Sequence, residues 1–431
     1  MQLPAEFITK TRQLLGEERF QCYMRAFEEE APVSIRVNAQ KCGDNYEVAG
    51  ERVPWCRNGY YLPTRPNFTF DPLLHAGCYY VQEASSMFLD EVLRQHMPQG
   101  SPLMALDLCA APGGKSTLLR AALPVGSTLF SNEPNPKRAS ILAENMAKWS
   151  ADGCIVTNNY PRDYRKAKLK FDLVLCDVPC SGEGMFRKDE ATIGEWSPEN
   201  VEKCWQLQRE IVADAWQCLS DGGLMVYSTC TLNTQENEEN IRWMMEELGA
   251  KPLPVATQAD WHITGSLLPG FEAPVYRFIP GLTRGEGLFM CVMRKPTPTP
   301  SLKGREFKAG SKMPCKLKIP STLKRVSTPL PHREGQGGGS AAGGGSPGSS
   351  RSPLPLTYPQ AISYLRREAL VLPPDTPRGI IDVSYRGHVL GQVKNIGSRA
   401  NNLYPKEWRI KSTYVPAEPQ EVLHSRAASE S

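Results

Sequence analysis

Six short apolar runs set the tightest limit on what this chain can fold into: Leu103 to Leu108, Ser127 to Asn132, Cys154 to Asn158, Phe171 to Asp177, Gly223 to Ser228 and Leu288 to Met293. Each is strand-sized, and the segments between them repeat apolar residues at helical spacing. Asn200 to Leu219, for example, places Val201, Cys204, Trp205, Ile211, Val212, Ala215, Trp216 and Leu219 on one face. Asn233 to Leu248 opens with the capping-box pattern Asn233-x-x-Glu236. Strands alternating with helices predict an α/β domain with a doubly wound parallel sheet between about Tyr79 and Arg294. The Trp and Cys positions on the helical faces are read as core.

At 431 residues the chain exceeds one ordinary core. Residues 1–77 combine an amphipathic helix, Glu6 to Glu28, with strand-like pieces such as Val33 to Asn38, and are expected to form a small α+β domain ahead of the core at 78–295. Residues 296–354 follow as a linker. Pro296 to Ser352 holds ten Lys/Arg against two Asp/Glu, although the whole chain is only +4, and Gly337 to Ser350 is too poor in apolar side chains to bury anything. Such a tether either seeks phosphates or simply keeps its flanking domains soluble. Tyr385, Tyr404 and Trp408 stand among basic residues in 355–416, which fits a compact half-β nucleic-acid module, with a dimerisation or capping domain as the alternative; 417–431 is a tail.

Met1 to Lys10 has no basic start followed by an apolar core, and no apolar run reaches membrane-spanning length. The thirteen cysteines are therefore expected in a cytoplasmic, reduced protein without membrane contact. No C-x-x-C pair occurs, and His75-x-x-Cys78 has no second pair to complete a tetrahedral site, so no metal is expected.

The first apolar run ends in Cys109-Ala110-Ala111-Pro112-Gly113-Gly114-Lys115-Ser116-Thr117, after which a helix begins. Small residues and paired glycines at a strand-to-helix turn let backbone approach a ligand closely and point amides at it. A phosphate-cradling G-x-x-x-x-G-K-[ST] loop fails, because its first glycine falls on Cys109, and the dinucleotide G-x-G-x-x-G is missing. S-adenosylmethionine has no phosphates; it needs a close turn for its amino-acid end and a carboxylate for its ribose hydroxyls. Glu133, just past the second run, supplies that carboxylate.

Two thiols follow later apolar runs, Cys180 in DVPCSGEGMFRK and Cys230 in YSTCT. Soft nucleophiles at the open ends of parallel strands suggest covalent catalysis. With ALDLCAAPGGKST, Glu133, LCDVPCSGEGMFRKD and MVYSTCTLNTQENEENI in this order, the chain resembles the Sun-family RNA 5-methylcytidine methyltransferases, and within them the RsmF-type bacterial enzymes of small-subunit ribosomal RNA. SIRVN (Ser34 to Asn38), YYVQEASSM (Tyr79 to Met87) and GQVKNIGSRANNLYPKEWRIK (Gly391 to Lys411) belong to the same resemblance; the linker does not.

The resemblance implies a class I S-adenosylmethionine-dependent (Rossmann-like) core, an N-terminal RNA-binding domain and a C-terminal RNA-binding domain of PUA or RRM type. It implies Cys230 as nucleophile, Asp177 as the group that hydrogen-bonds the base and lies with the cofactor residues, and Cys180 as the aid to product release. Pro-Cys nucleophiles of DNA cytosine methyltransferases keep the opposite assignment of the thiols open. Some relatives hold the adenine with an acidic residue after the third strand; this chain has Asn158-Asn159-Tyr160-Pro161-Arg162-Asp163 there, so the contact is expected from Asn159. A base attacked above its ring must be unpaired or flipped out. Arg36, Arg187 and Lys188 near the cleft, and Lys394, Arg399, Lys406 and Arg409 in the tail module, are candidates for phosphate contacts. The expected partner is ribosomal RNA or the small subunit, acted on by a monomer. Transfer RNA as substrate, or an assembly factor with little activity, are the alternatives.

Overall fold

The computed structural model describes residues 2–43, 46–149, 152–297, 320–327, 352–412 and 414–425. Its centre is a mostly parallel sheet. The strands are β1 (Met104–Asp107), β2 (Thr128–Asn132), β3 (Cys154–Thr157), β4 (Phe171–Asp177), β5 (Leu219–Thr229) and β6 (Leu288–Arg294). They lie in the order β3-β2-β1-β4-β5-β6, with β6 alone antiparallel to its neighbour. Short pieces, Lys251–Pro252 and Tyr276–Phe278, pair with β6. Leu173, Val174, Leu175 and Cys176 of β4 are fully buried because helices cover both faces, which explains the unbroken apolar run. Each such side chain contributes about 1.5–3 kcal/mol of burial.

All six predicted runs are strands, and the largest difference lies in β5. It starts at Leu219 rather than Gly223, because an irregularity between Leu219 and Leu224 absorbs the polar Ser220-Asp221-Gly222 that masked the strand. The predicted helix Glu6 to Glu28 is two helices, Ala5–Leu15 and Glu17–Arg25, broken at Gly16 with φ +74°. The helix expected from Asn233 begins only at Glu238, since Glu236 turns inward to other partners described below.

Ahead of the core, Glu51–Arg52, Gly59–Leu62, Val33–Val37 and Tyr79–Val81 form an antiparallel sheet in that order. The tail module carries the helix Tyr358–Leu365 against a sheet of Leu354–Pro355, Gly379–Tyr385, His388–Asn395 and Ala400–Asn402. These outer parts share one apolar core: Phe70, Leu73 and Tyr79 from the first pack with Tyr358, Ile362 and Tyr404 from the second. Leu423–Ser425 adds a two-stranded pairing with Tyr46–Val48, and Tyr358 Oη donates to the Phe70 carbonyl at 3.2 Å.

Most of the basic linker, Gly337 to Ser350 included, lies outside the described residues. Its interior stretch 320–327 is described, and it docks on the outer edge of β3. Val326 N donates to Val156 O at 2.9 Å and Asn158 N to Lys324 O at 3.0 Å, while Leu323 is buried against the core. Among the described residues no helix is long and apolar enough to cross a membrane.

Candidate active site

The strand order reverses between β1 and β4, and an open α/β sheet binds ligands at that crevice, beyond the carboxyl ends of its strands. A cleft of about 650 Å³ lies there, lined among others by Cys109, Lys115, Glu133, Asp177, Cys180 and Cys230. Motifs spread over more than a hundred residues of sequence thus meet in one space.

At one end, β1 turns through residues 109–113 into the helix α1 (Gly114–Ala122). Gly113 stands at φ +118°, and a β-carbon there would press on Leu142 Cδ1 at 3.3 Å, so the turn requires glycine. Asn145 Nδ2 donates to Pro112 O at 2.8 Å and Arg138 Nη2 to Ala111 O at 2.9 Å; both come from the helix α2 (Pro136–Trp149). Cys109, Ala111, Pro112 and Lys115 face the cleft, whereas Ala110 is buried beneath it and Gly113 and Gly114 shape the turn without lining it. Burial pushes the Cys109 thiol well up, so it stays a neutral wall.

Glu133 is buried at the end of β2. Its Oε1 accepts from Asn135 N at 2.9 Å; its Oε2 has no hydrogen-bond donor among the described residues, only the Arg138 guanidinium at 3.4 Å. Asp107, behind the turn, accepts from Ser116 Oγ at 2.7 Å and leaves its other oxygen unpartnered. Burial raises its carboxyl to about 7. A buried carboxylate oxygen facing a cleft without a donor fits a ligand that brings hydroxyl donors, as a ribose does.

At the other end the two thiols touch. Cys180 Sγ and Cys230 Sγ are 3.2 Å apart, and Cys230 N also approaches Cys180 Sγ at 3.3 Å. The Cys180 thiol is held well above its ordinary range, first by the neighbouring Cys230 sulfur and then by burial. Either sulfur can be the donor in their contact.

Asp177 joins the two ends. Its Oδ1 accepts from Ser228 Oγ at 2.6 Å, and its Oδ2 pairs with Lys115 Nζ at 2.9 Å. Burial alone would lower the Lys115 ammonium; Asp177, with Cys230 and Asp107 behind it, turns the direction upward. Lys115, expected only as part of the cofactor loop, thus also pairs with Asp177.

Sequence reading missed what holds the thiol loops. Glu236 is buried and accepts from Ser181 N (3.1 Å), Ser181 Oγ (2.5 Å), Gln208 Nε2 (2.6 Å) and Asn233 Nδ2 (2.8 Å). Glu183 accepts from Trp196 Nε1, Leu232 N and Asn233 N. Backbone seals the junction: Gly184 N donates to Cys230 O at 2.9 Å and Gly287 N to Gly184 O at 3.1 Å, an approach so close that a β-carbon on Gly184 would lie 2.6 Å from Gly287 Cα. The hints in the sequence are Glu183 inside the glycine-bearing CSGEGMF and the Asn233-x-x-Glu236 spacing.

Three expectations need correction. Asn159 does not line the cleft: its Nδ2 donates to Lys324 O at 3.1 Å and its Oδ1 accepts from Lys324 N at 2.9 Å, so the docked linker segment occupies the amide. Tyr160 and Pro161 form that wall instead. The Arg187 side chain is enclosed and forked onto Glu286 (3.1 Å), and it also donates to Ala26 O and Gly285 O, so it faces the protein rather than a phosphate. Arg36 is likewise enclosed, bonded to Gln82 Oε1 at 2.8 Å and Thr117 Oγ1 at 2.5 Å and stacked on Trp149; it pins the first domain to α1. Lys188 does line the cleft, and Lys394, Arg399, Lys406 and Arg409 are exposed.

A 3-2-1-4-5-6 sheet with a glycine turn after its first strand and a carboxylate after its second is the class I, Rossmann-like methyltransferase fold. The family is narrower. Residues 97–294 match the model described as 16S rRNA methyltransferase RsmB/F, 3–84 the N-terminal domain of 16S rRNA methyltransferase RsmF, and 351–410 the methyltransferase RsmF PUA domain. The chain belongs to this RsmF-type methyltransferase family.

Among its relatives, ribosomal RNA small subunit methyltransferase F of Pectobacterium atrosepticum is 32% identical over 327 residues, covering 72% of this chain and 66% of that protein. The protein of the same name from Escherichia coli O17:K52:H18 is 31% identical over 330 residues, with the same coverage. The chain thus spans slightly less than two thirds of the length of these relatives. A methyltransferase homolog from Pyrococcus horikoshii superposes with a TM-score of 0.56 at 25% identity, covering 68% of this chain and all of that one. NSun6 from the same organism, crystallised with SFG, gives 0.56 at 19% identity, over 68% of this chain and 99% of its own, and shares the fold.

Proposed function

We propose that this protein methylates carbon 5 of a cytosine in RNA, with 16S ribosomal RNA as the substrate its relatives' names suggest. The observation that carries the reading is the pair of touching thiols beside Asp177 in the same cleft as the Cys109–Lys115 turn and Glu133. Bound S-adenosylmethionine would supply an electrophilic methyl group.

Carbon 5 of cytosine is a poor nucleophile until something adds at carbon 6. Cys230 sulfur forms that bond, and the ring's electron pair moves to carbon 5. Asp177 enters the step protonated, gives its proton to ring nitrogen 3 and accepts from the exocyclic amino group on its other oxygen, so charge does not accumulate on the ring. Once carbon 5 carries its new substituent, its proton must leave and the carbon–sulfur bond must break. Cys180, on the other side of the sulfur contact, assists that step. Glu133 takes the ribose hydroxyls and Tyr160 with Pro161 the adenine face. Every group the chemistry needs comes from one chain, so the reading requires no second copy, and a ribosomal RNA substrate puts the reaction in the cytoplasm.

Bisulfite sequencing of ribosomal and transfer RNA from a strain lacking the gene tests this. One small-subunit cytidine should become unprotected. Loss at a transfer RNA position would move the substrate, and unchanged protection throughout would leave the assembly-factor reading.

A further inference from the structure

Away from the cleft, where the first domain meets the tail module, Cys42 Sγ, Cys78 Sγ and a ring nitrogen of His388 all lie within 4.8 Å of one another. Their sequence separation hides them from any motif search. Cys42 ends the short helix Ala39–Cys42, Cys78 precedes the strand Tyr79–Val81, and His388 opens a strand of the tail module. Cys42 and His388 also line a cavity of about 40 Å³ together with His424, which lies on the strand paired with Tyr46–Val48. Two thiols and one imidazole from three segments therefore converge beside a space too small for an organic ligand, and His424 lines that space.

We propose that Cys42, Cys78 and His388, with His424 moving in from the cavity wall as the fourth ligand, form a tetrahedral site for zinc or a similar divalent ion, which clips the first domain to the tail module. Soft sulfur with imidazole is the donor set zinc takes in closed structural sites. Binding is balanced: each thiol gives up one proton, the ion takes two thiolate and two imidazole lone pairs, and the site ends neutral. The nearby cations are tied elsewhere, Lys41 Nζ to the carbonyls of Ala76 (2.5 Å) and Lys148 (2.6 Å), and Arg386 to Glu421 at 2.5 Å. His75, the histidine nearest to Cys78 in sequence, is not a ligand, because its Nε2 bonds Thr69 O at 2.9 Å.

The full-length protein, purified from zinc-supplemented cells without chelator, should carry about one equivalent of zinc per chain by elemental analysis. After exchange, Co(II) should give the visible bands and sulfur charge-transfer absorption of a tetrahedral thiolate site. C42S and H388A, at half-buried positions less exposed to folding failure than fully buried Cys78, should each weaken Co(II) binding at least about tenfold, and H424A by less. A chelator should lower the melting temperature of the wild type but not of C42S. Less than about a tenth of an equivalent of zinc with no sulfur charge-transfer band would overturn the proposal. A Cys42–Cys78 disulfide in metal-free protein, or undiminished binding by both C42S and H388A, would do so equally.

Discussion

At the cofactor end of the cleft, Glu133 and Asp107 each keep one buried carboxylate oxygen without a hydrogen-bond donor among the described residues, whereas at the thiol end Glu236 and Glu183 are surrounded by donors. The same side-chain type does opposite jobs. Buried acceptor capacity left open costs stability, and at Glu133, which lines the cleft, a ligand that brings a donor repays it; filled capacity fixes loops in place. The first end is thus built to receive and the second to hold two sulfurs at a set distance.

The sharpest test of the held end is chemical. Cys230→Ala should lower methylation of RNA at least about a thousand-fold and leave no RNA adduct on a denaturing gel, while Cys180→Ala should accumulate one. An adduct with Cys230→Ala and none with Cys180→Ala would exchange the two roles.

Next comes stability at that end. Glu236→Ala strands Ser181 N, Gln208 Nε2 and Asn233 Nδ2, and should cost about 3–5 kcal/mol in urea unfolding. If the loss is no larger than for Glu133→Ala, the two ends do not differ as described.

The receiving end has a pH signature. Asp107, with a folded value near 7 against an ordinary 3.8, adds stability that is full below about pH 4 and is lost as the pH rises to about 7. Asp107→Asn cannot ionise, so its stability relative to wild type should improve by roughly 2–3 kcal/mol between pH 4.5 and pH 8. A gap that does not change with pH would mean that the carboxyl finds a partner.

The smallest effect is on binding. Glu133→Ala should weaken S-adenosylmethionine by about 1–3 kcal/mol in calorimetry and leave unfolding little changed. Unaltered affinity would remove Glu133 from the site.

Periodicity made the sheet legible, because β4 and its neighbours are buried on both faces and therefore read as plain apolar runs. It failed where polar residues sit inside an element, as in Ser220-Asp221-Gly222 of β5, and where a capping pattern was in fact a buried brace, as with Asn233 and Glu236. The residues of the cleft were legible as types at strand ends. What could not be read was which partner each side chain chose: Lys115 reaches Asp177, Arg187 reaches Glu286 and Asn159 reaches Lys324, contacts that only the folded chain brings together. The charge of the linker was visible, but a short docking stretch within it carries no pattern of its own.

That stretch also governs how the protein behaves toward its own copies in solution. β3 is the last strand of its sheet, and a bare last strand offers its amides and carbonyls to any other chain that can line up with it. Lys324 and Val326 occupy that position from within the same molecule. Cutting or displacing 320–327 would uncover an adhesive edge, and the first symptom would be self-association of otherwise folded molecules.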